Sequence, residues 1–231
     1  MTLAAKLEPI ENRTLRERAR KELKTALMAG RFMPGEIVTV RSVAEALGTS
    51  PMPVREAIHA LVAEHALEMR PNRTVRVPVL SASGFRQLEE MRVLIESKAA
   101  GLAATRVGDD DVAEIVRHNA DMLASLKAGD AGTFLRHNQS FHFAVYRAAG
   151  NAFMLPVIEG FWLRVGPYLM SPFASGRYDI RQHYRVGISY HDGIIAAMKA
   201  RDAEAAEKAM ATDISESAGW YGENLEFAPE E

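Results

Sequence analysis

Beyond residue 84, glycines divide the chain into segments long enough for one helix each, and this division restricts the possible folds most. Breaks fall at Gly108, Gly129 and Gly150, and again between Pro172 and Gly176. Glycine and proline commonly end helices, and apolar residues within the segments recur at helical spacing. Short connections make successive helices antiparallel neighbours. The pattern predicts an all-α antiparallel bundle of six helices, over residues 84–105, 109–128, 130–149, 151–171, 178–200 and 202–224.

The first third of the chain predicts a smaller unit of short helices followed by a hairpin. Ser50 and Pro51 mark the start of its third helix, because serine caps helices and proline at the first helical position loses no hydrogen bond. Thr74 to Val77 alternates between polar and apolar residues, as half-buried strands do. Residues 1–11 are expected to form a loose tail. The predicted helices span 14–29, 40–47 and 51–64, and the predicted strands span 66–70 and 74–77.

These patterns divide the chain into two predicted domains, residues 12–79 and 84–224, with Ser81–Gly84 as the linker. Residues 1–80 contain 13 lysines and arginines against 9 acidic residues, a net charge of +4. Residues 81–231 contain 15 against 21, a net charge of −6. A basic domain beside an acidic one suits an anionic partner for the first domain.

The bulk properties favour an intracellular protein. The chain contains no cysteine, which excludes disulfides and thiolate metal sites. It also lacks an apolar run of about 18 residues, and its first 12 residues lack the apolar core of a secretory signal. We therefore expect a cytoplasmic protein that does not enter a membrane.

Residues 40–64 predict two helices joined by a tight turn, a shape that suits DNA. The second helix of such a pair can enter the major groove with its N-terminal turns, while a hairpin contacts the backbone or the minor groove. The polar groups available for this docking are Arg41, Ser50, Arg55 and Arg73. A small domain can also carry this shape and scattered arginines without binding DNA, so the physical pattern leaves both interpretations open.

Residues 30–69 closely resemble the winged helix-turn-helix domain of the GntR family. The matching elements include Pro34-Gly35-Glu36, Ala44-Glu45, Leu47-Gly48 and Pro53-Val54-Arg55-Glu56-Ala57. The resemblance implies a transcription regulator that binds an operator in double-stranded DNA. It also implies that Arg41 and Arg55 contact DNA and that the wing tip, Asn72-Arg73, enters the minor groove.

The start of the recognition helix departs from the family pattern. Members of the family usually carry arginine and threonine where this chain has Pro51 and Met52. A cation that would contact a base or a phosphate is therefore missing, so we expect a different operator or weaker binding. Met52 could contact a thymine methyl group or simply face solvent.

The C-terminal part resembles the FCD sensor domain of the FadR subfamily over residues 84–223. The segments that carry the resemblance are EEMRVLIESKAAGLAA at 89–104, NQSFHFAVYRAAGN at 138–151 and SYHDGIIAAMKARDAEAAEKAMATDI at 189–214. Six predicted helices rather than seven favour the VanR-like branch. The resemblance implies a homodimer with a small-molecule effector, commonly a carboxylated metabolite.

Polar residues on apolar helix faces predict a buried polar site in the bundle. Asn138 and His142 are four residues apart and so share a helix face, and His191 and Asp213 also lie beside apolar residues. Two imidazoles and a carboxylate that converge in a bundle could bind Zn²⁺ or another divalent ion such as Ni²⁺ or Mn²⁺. A lone inward histidine is more commonly a hydrogen-bonded core residue, so that alternative stays open.

The four positions match the metal site of the family, which usually has an aspartate, a histidine four residues later and two further histidines. This chain has Asn138 in place of the aspartate and Asp213 in place of the last histidine. The resemblance implies that His142, His191 and Asp213 hold the metal, with the weak neutral ligand Asn138 as a fourth or outer group. The alternative is a metal-free pocket whose groups bind the effector directly. The remaining histidines of this domain match no site position and are expected to be surface or structural residues: His118, His137 and His183.

Two arginines are candidates for binding a carboxylate effector. Arg92 shares a helix face with Leu88 and Ile95 and should point inward. There it can bind a carboxylate bidentately or pair with Glu96, four residues on. Arg164 is a weaker candidate of the same kind.

The sequence therefore predicts a ligand-responsive, homodimeric transcription regulator, more often a repressor in this family. Two recognition helices would read a two-fold operator, and the effector would shift the population of head orientations. A metal-dependent enzyme is an alternative, but it needs a base or nucleophile beside the metal. No glutamate or lysine lies on the helix faces that carry the candidate metal ligands. A pure metal sensor would differ from the main hypothesis only in its effector.

Overall fold

The computed structural model describes residues 13–174, 176 and 178–230, and the side chains of these residues other than 13, 14 and 182–188. The tail predicted for residues 1–11 lies outside the described residues. Within them the chain is mainly helical, as the sequence predicted. The helices are α1 (Arg13–Met28), α2 (Val40–Leu47), α3 (Pro51–Ala63), α4 (Ala82–Arg106), α5 (Asp109–Ala128), α6 (Ala131–Ala148), α7 (Met154–Ala174), α8 (Ile180–Ala200) and α9 (Ala203–Asn224), and the strands are β1 (Glu68–Met69) and β2 (Val75–Arg76).

Residues 13–76 form a unit that we call the head, in which α1, α2 and α3 share an apolar core. Leu27 of α1 and Ile58 and Leu61 of α3 are each at most 2% exposed. Only three residues join α2 to α3, and Gly48 turns the chain there with a left-handed backbone at φ +61°. Glycine adopts this conformation without strain. The predicted helix-turn-helix is therefore present.

A short hairpin follows α3 and forms the wing of the head. β1 and β2 pair antiparallel, with Met69 opposite Val75. In the turn between them, the Asn72 side chain accepts a hydrogen bond from the Thr74 backbone N–H at 3.1 Å. Asparagine favours turns because it forms this local bond. The predicted hairpin is confirmed, although its strands are shorter than expected.

Helices α4 to α9 form the sensor bundle, in agreement with the six helices predicted from the glycine breaks. Connections of two to five residues join them. α4 packs against α9, and α5 packs against α6 and α8. The bundle encloses apolar residues and also polar ones, among them Glu96, His142 and His191, which need partners inside it. None of the helices in the described ranges combines the length and apolar character that a membrane span requires.

The segment Ser81–Gly84 is not a linker, which corrects the sequence prediction. Its first residue caps α4, because the Ser81 Oγ accepts a hydrogen bond from the Gly84 N–H at 3.1 Å. The preceding Leu80 donates its N–H to the Tyr168 hydroxyl at 2.6 Å and accepts from the Ala228 N–H at 2.9 Å. Small polar residues here start a helix, since serine satisfies the free amides of a helix end.

Helix α7 also differs from its predicted range of 151–171. It begins at Met154, because the Asn151 side chain accepts hydrogen bonds from the Phe153 and Met154 N–H groups at 3.0 and 3.2 Å. It also continues past Pro172 to Ala174. Proline usually ends a helix, but its cost can be offset by packing, and Pro172 is buried.

The head lies directly on the sensor bundle, with α1 packed against α7. Two glycines make this contact close. A β-carbon on Gly166 would collide with the Leu27 carbonyl oxygen, and one on Gly30 would lie 2.9 Å from the Gly166 carbonyl oxygen. The two backbones therefore touch with no side chain between them.

Charged groups surround this contact between head and bundle. The Glu64 carboxylate accepts a hydrogen bond from Arg20 and lies 2.9 Å from the Lys24 Nζ, which is also 3.3 Å from Glu159 of α7. The Glu64 carbonyl oxygen accepts a hydrogen bond from Arg164 of α7 at 3.1 Å. Although partial burial opposes ionisation, Lys24 and Arg20 lower the pKa of Glu64 below its ordinary 4.5. Glu64 thus contacts α7 directly through its backbone carbonyl, and its side chain is linked to α7 only through Lys24, which also pairs with Glu159.

We expect Glu64→Gln to lower the free energy of unfolding by about 0.2–1 kcal/mol at pH 7, the range measured for ion pairs near the surface. Because the folded-state pKa of Glu64 is lowered, its contribution is complete above pH 4.5 and is lost as the pH falls through the folded-state value. The difference from wild type should therefore shrink below pH 4.5. Urea unfolding at pH 7 and in acid measures it, with the exposed Glu216→Gln as control. A difference that does not change with pH would contradict this role.

Candidate DNA-binding surface and candidate metal centre

The head exposes the arginines expected to contact DNA. Arg41 lies in the first turn of α2 with its side chain 90% exposed, and its Nε donates to Glu45 at 3.0 Å. Arg55 on α3 and Arg73 in the wing are also exposed. Because an exposed ion pair contributes little, a phosphate can replace Glu45 as the partner of Arg41.

The N-terminus of α3 is open to solvent. Ser50 occupies the predicted N-cap position and is exposed, but its side chain makes no capping hydrogen bond. Met52, in the first turn, is 61% exposed. This turn contains no acidic residue, so nothing in it neutralises the positive end of the helix dipole. The arrangement suits an anion or a base edge at this end of α3.

The wing tip presents Asn72 and Arg73 on the surface. Both residues are exposed. Arg73 has a left-handed backbone with φ +63°, which is uncommon for a residue other than glycine, and its N–H donates to the Arg70 carbonyl oxygen at 2.8 Å. The tight turn therefore holds an exposed arginine at the end of the hairpin.

In the sensor bundle, α6, α8 and α9 bring His142, His191 and Asp213 together. His142 Nε2 lies 3.4 Å from Asp213 Oδ2, and His191 Nε2 lies 3.5 Å from Asp213 Oδ1. One ligand atom from each residue lies within 4.8 Å of the other two, and all three side chains are buried. The two imidazoles meet edge to face, with ring centres 5.0 Å apart. Two nitrogens and a carboxylate at this spacing form a donor set for a divalent first-row metal.

Hydrogen bonding determines which nitrogen of His142 presents a lone pair to Asp213. The Tyr146 hydroxyl donates its only proton to Glu96, and its oxygen also lies 3.2 Å from His142 Nδ1. His142 must therefore donate from Nδ1 to this oxygen, which leaves the lone pair on Nε2, the atom that faces Asp213. An outer hydrogen bond of this kind orients metal-binding histidines in proteins.

Burial keeps both imidazoles neutral. It lowers the pKa of His142 well below 6.5, with further contributions from His191 and Arg92, and it lowers the pKa of His191 to about 3. Burial also raises the pKa of Asp213 to about 7, against the opposing effect of Arg92. Neutral imidazole is the form that binds metals, and a divalent cation would favour the ionised carboxylate.

The carboxylate of Glu96 lies beside this cluster and accepts hydrogen bonds from three side chains. Arg92 donates from Nε to Oε1 at 2.8 Å and from Nη2 to Oε2 at 3.3 Å. Oε2 also accepts from Trp162 Nε1 at 3.1 Å and from the Tyr146 hydroxyl. The Arg92 guanidinium carbon lies 5.4 Å from the centre of the Trp162 ring. The inward direction of Arg92 and its pairing with Glu96, both considered from the sequence, are thus present.

Asn138 and Arg164 differ in how they relate to this cluster. Asn138 lies one turn before His142 on a buried face of α6 and is 7% exposed. Arg164 donates instead to the Gly160 carbonyl oxygen at 2.6 Å and to the Glu64 carbonyl oxygen of the head at 3.1 Å. Arg164 therefore binds the head and not this cluster, and its role in effector binding stays a prediction. It lies two residues after Trp162, about 200° around the helix, and so faces away from the cluster.

Two residues of the site were missed in the sequence. Tyr146 follows Asn138 and His142 at the same four-residue interval, so the spacing itself could have identified it. Trp162 has no such spacing. Its only signal is an indole N–H in an apolar segment, which needs an acceptor when it is buried.

Comparison with known proteins identifies the two parts of the chain. Residues 15–77 match the model of bacterial regulatory proteins of the gntR family, and residues 87–216 match the FCD domain. A probable D-xylose utilization operon transcriptional repressor of Paenarthrobacter nicotinovorans is 30% identical over 203 residues, which cover 87% of this chain and 86% of that protein. The chain belongs to the GntR family.

Further GntR relatives agree over most of the length. The HTH-type transcriptional regulator McbR of Escherichia coli K12 is 29% identical over 191 residues, which cover 82% of this chain and 85% of that protein. The solved structure of E. coli McbR/YncC aligns with a TM-score of 0.84 at 26% identity, over 90% of this chain and 97% of that chain. A GntR head joined to an FCD domain makes this protein a ligand-responsive, DNA-binding transcription regulator.

We expect Tyr146→Phe to lower the free energy of unfolding by about 1–3 kcal/mol, because Glu96 and His142 both lose a buried hydrogen-bond partner. Tyr190→Phe changes a partly exposed tyrosine of α8 and should alter stability by less than about 0.5 kcal/mol. Urea unfolding followed by circular dichroism measures both variants. Equal stability of Tyr146→Phe and wild type would show that this hydroxyl does not hold the network.

Proposed function

We propose that this regulator is a homodimeric repressor that binds a two-fold operator and senses a small carboxylated metabolite through a buried divalent metal, Zn²⁺ in the first instance and Ni²⁺ or Mn²⁺ as alternatives. The observation that carries the sensing part is the convergence of His142, His191 and Asp213 within 4.8 Å in the bundle. The relative from Paenarthrobacter nicotinovorans, which is named as a probable repressor, supports repression as the sign of regulation. The six-helix bundle supports assignment to the VanR-like branch of the FadR subfamily.

The DNA-binding part of the proposal assigns each exposed group of the head a partner in the duplex. Arg41 contacts phosphate, the first turn of α3 with Ser50, Met52 and Arg55 reads the major groove, and the wing with Asn72 and Arg73 enters the minor groove. Exposure of all six side chains supports these roles. Because Pro51 and Met52 supply no cation, Arg55 carries more of the base contact, and Met52 suits a thymine methyl group.

The metal part of the proposal assigns His142 Nε2, His191 Nε2 and one oxygen of Asp213 as ligands. The neutral imidazoles, the outer bond from His142 Nδ1 to Tyr146 and the burial of all three groups support this assignment. Asn138, on the same helix face as His142, is the candidate for a fourth, weaker ligand through its amide oxygen. A bound divalent metal would offer a Lewis-acidic position to an effector carboxylate.

Arg92 supports a carboxylate as the effector. Its guanidinium is buried beside the cluster and is close enough to oppose the raised pKa of Asp213. Arginine binds carboxylates bidentately, and here Glu96 already occupies that geometry. An effector carboxylate would compete with Glu96 for Arg92, so binding would disturb the hydrogen bonds that Glu96 makes with Tyr146 and Trp162.

Helix α7 supports transmission of this disturbance to the head. Trp162 binds Glu96 on the inner side of α7, whereas Arg164 on its outer side binds the Glu64 carbonyl oxygen. Gly166, four residues after Trp162 and so on nearly the same helix face, contacts the backbone of α1. A ligand that moves Trp162 would therefore move the surface on which the head lies, and so favour some head orientations over others.

Exposed apolar side chains support the homodimer. On the sensor bundle, Met91, Leu94, Phe153 and Val157 are each 45–89% exposed. Contiguous exposed apolar surface commonly marks an interface between proteins, and Met91 and Leu94 are neighbours on one face of α4. Two heads related by a two-fold axis would bind the two halves of a palindromic operator.

A pure metal sensor is the second candidate, because the buried donor set can respond to an ion without any organic ligand. DNA affinity distinguishes the two candidates: a metal sensor changes affinity when metal alone is added, whereas the proposed regulator also needs the acid. An enzyme is not favoured, since the named relatives are transcriptional regulators.

We expect Arg55→Ala and Arg73→Ala each to weaken operator binding by about 5- to 150-fold, because each removes a cation that contacts DNA, a loss of about 1–3 kcal/mol. The probes are DNA fragments from upstream of the protein's own gene and neighbouring genes, followed by fluorescence anisotropy with and without candidate carboxylic acids. Arg117→Ala removes an exposed arginine of α5 and is the matched control. Failure of the wild type to bind any fragment, or equal binding by both head variants, would contradict the proposal.

We expect Asn138→Asp to raise the affinity for Zn²⁺ at least tenfold, because a carboxylate replaces a weak neutral ligand. Asp213→Asn should lower it by at least the same factor. Calorimetric titration of chelator-treated protein with ZnCl₂ measures both changes. The control Gln87→Glu adds a negative charge at an exposed position of α4. If Asn138→Asp behaves like this control and Asp213→Asn binds like wild type, the buried groups do not bind zinc.

A further inference from the structure

A second group of metal-binding side chains lies between α5 and α6, separate from the buried cluster. His118 and Asp121 are three residues apart on α5, and His137 is on α6. One ligand atom from each of the three lies within 4.8 Å of the other two. We propose that these residues bind a divalent transition metal of the Zn²⁺, Ni²⁺ and Cu²⁺ class as a second site.

The geometry of the group suits an ion shared by two helices. Residues three apart share a helix face, so His118 and Asp121 both face α6 from α5. The His137 Nδ1 lies 4.0 Å from Asp121 Oδ2, and the two imidazole centres are 6.5 Å apart. Ligand atoms on tetrahedral zinc are about 3.3 Å apart, given bonds of about 2.0–2.1 Å. The side chains therefore need to move inward by about 1 Å, and their partial exposure of 17–48% leaves room for this movement.

His118 lacks the hydrogen bonds that a purely structural histidine would have. Its Nδ1 is buried and has no hydrogen-bond partner among the described residues. Its Nε2 lies 3.5 Å from Glu114 Oε1, which is longer than a good hydrogen bond. A buried nitrogen without a partner costs free energy, and a metal ion is one way to satisfy an imidazole lone pair.

Donor chemistry and access both select the kind of ion. Two imidazoles with one carboxylate favour first-row transition metals over Ca²⁺ and Mg²⁺, which prefer oxygen ligands. His118 also lines a cleft of about 510 Å³ between α1 and the bundle, together with Lys24, Phe143 and Glu159. An ion can therefore reach these ligands from solvent, whereas His142 and His191 are each 3% exposed. The second site should exchange its metal faster than the buried one.

The proposal changes the interpretation of two histidines. His118 and His137 were expected to be surface or structural residues, and both are partly exposed. The side chain of His183, the third of that group, lies outside the described residues. The new site does not depend on the proposed effector or on the buried cluster.

Zinc titration of the chelator-treated full chain, in competition with a chromophoric chelator, tests the site. We expect the wild type to bind two Zn²⁺ per chain, and His118→Gln and His137→Gln each to lose one or to bind it at least tenfold more weakly. His59→Gln removes an exposed histidine of α3 and should still bind two. In wild-type protein, the imidazole NMR signals of His118 and His137 should shift together as zinc is added.

Two outcomes separate this proposal from the proposed function. Suppose that the wild type binds one Zn²⁺, which His118→Gln loses and His142→Gln keeps. This result would support the second site and contradict the buried metal of the proposed function. If His118→Gln and His137→Gln match wild type in stoichiometry and affinity, with unshifted imidazole signals, the second site is overturned. Circular dichroism confirms that each variant is folded, and the NMR measurement needs no variant.

Discussion

The sensor bundle depends on the buried carboxylate of Glu96. An ionised carboxylate in a protein interior costs several kcal/mol unless charge and hydrogen bonds offset that cost. Here Arg92 supplies the charge and two hydrogen bonds, and Tyr146 and Trp162 supply the others. The same bonds connect α4, α6 and α7, and the one from Tyr146 fixes the tautomer of His142. A single carboxylate thus orients His142, one of the candidate metal ligands, and also binds α7, the helix on which the head lies.

Asp213 provides a contrast, because it is also buried but forms no ion pair with a lysine or an arginine among the described residues. Its oxygens face two neutral imidazoles, and burial raises its pKa to about 7. Of these two carboxylates, Glu96 therefore has a full set of hydrogen-bond donors among the residues that the structure describes, and Asp213 does not. This difference explains in physical terms why a cation would enter beside Asp213 and not beside Glu96.

The periodic elements of this fold could be predicted from the sequence, and contacts between distant segments could not. Glycines and helical spacing located all six bundle helices, since these signals are local. Ser81–Gly84 was interpreted wrongly because small polar residues serve both linkers and helix caps, and only the bonds of Leu80 to Tyr168 and Ala228 separate the two. The direction of Arg164 likewise depends on where the head lies. The buried histidines and Asp213 were found because polar residues on an apolar face are unusual in any context.

The contact between Gly30 and Gly166 has a consequence for how such regulators diversify. Heads and sensor domains of this architecture look exchangeable, since each has its own core. Here, however, the backbones of α1 and α7 meet without intervening side chains, and any β-carbon at position 166 would collide with Leu27 and Met28. A chimera that joins a different head to this bundle must therefore keep glycine at the position of Gly30, because its φ of +68° and the Gly166 carbonyl oxygen 2.9 Å from a β-carbon there both exclude a side chain. The close contact between Gly30 and Gly166 therefore limits which heads evolution can combine with this sensor bundle.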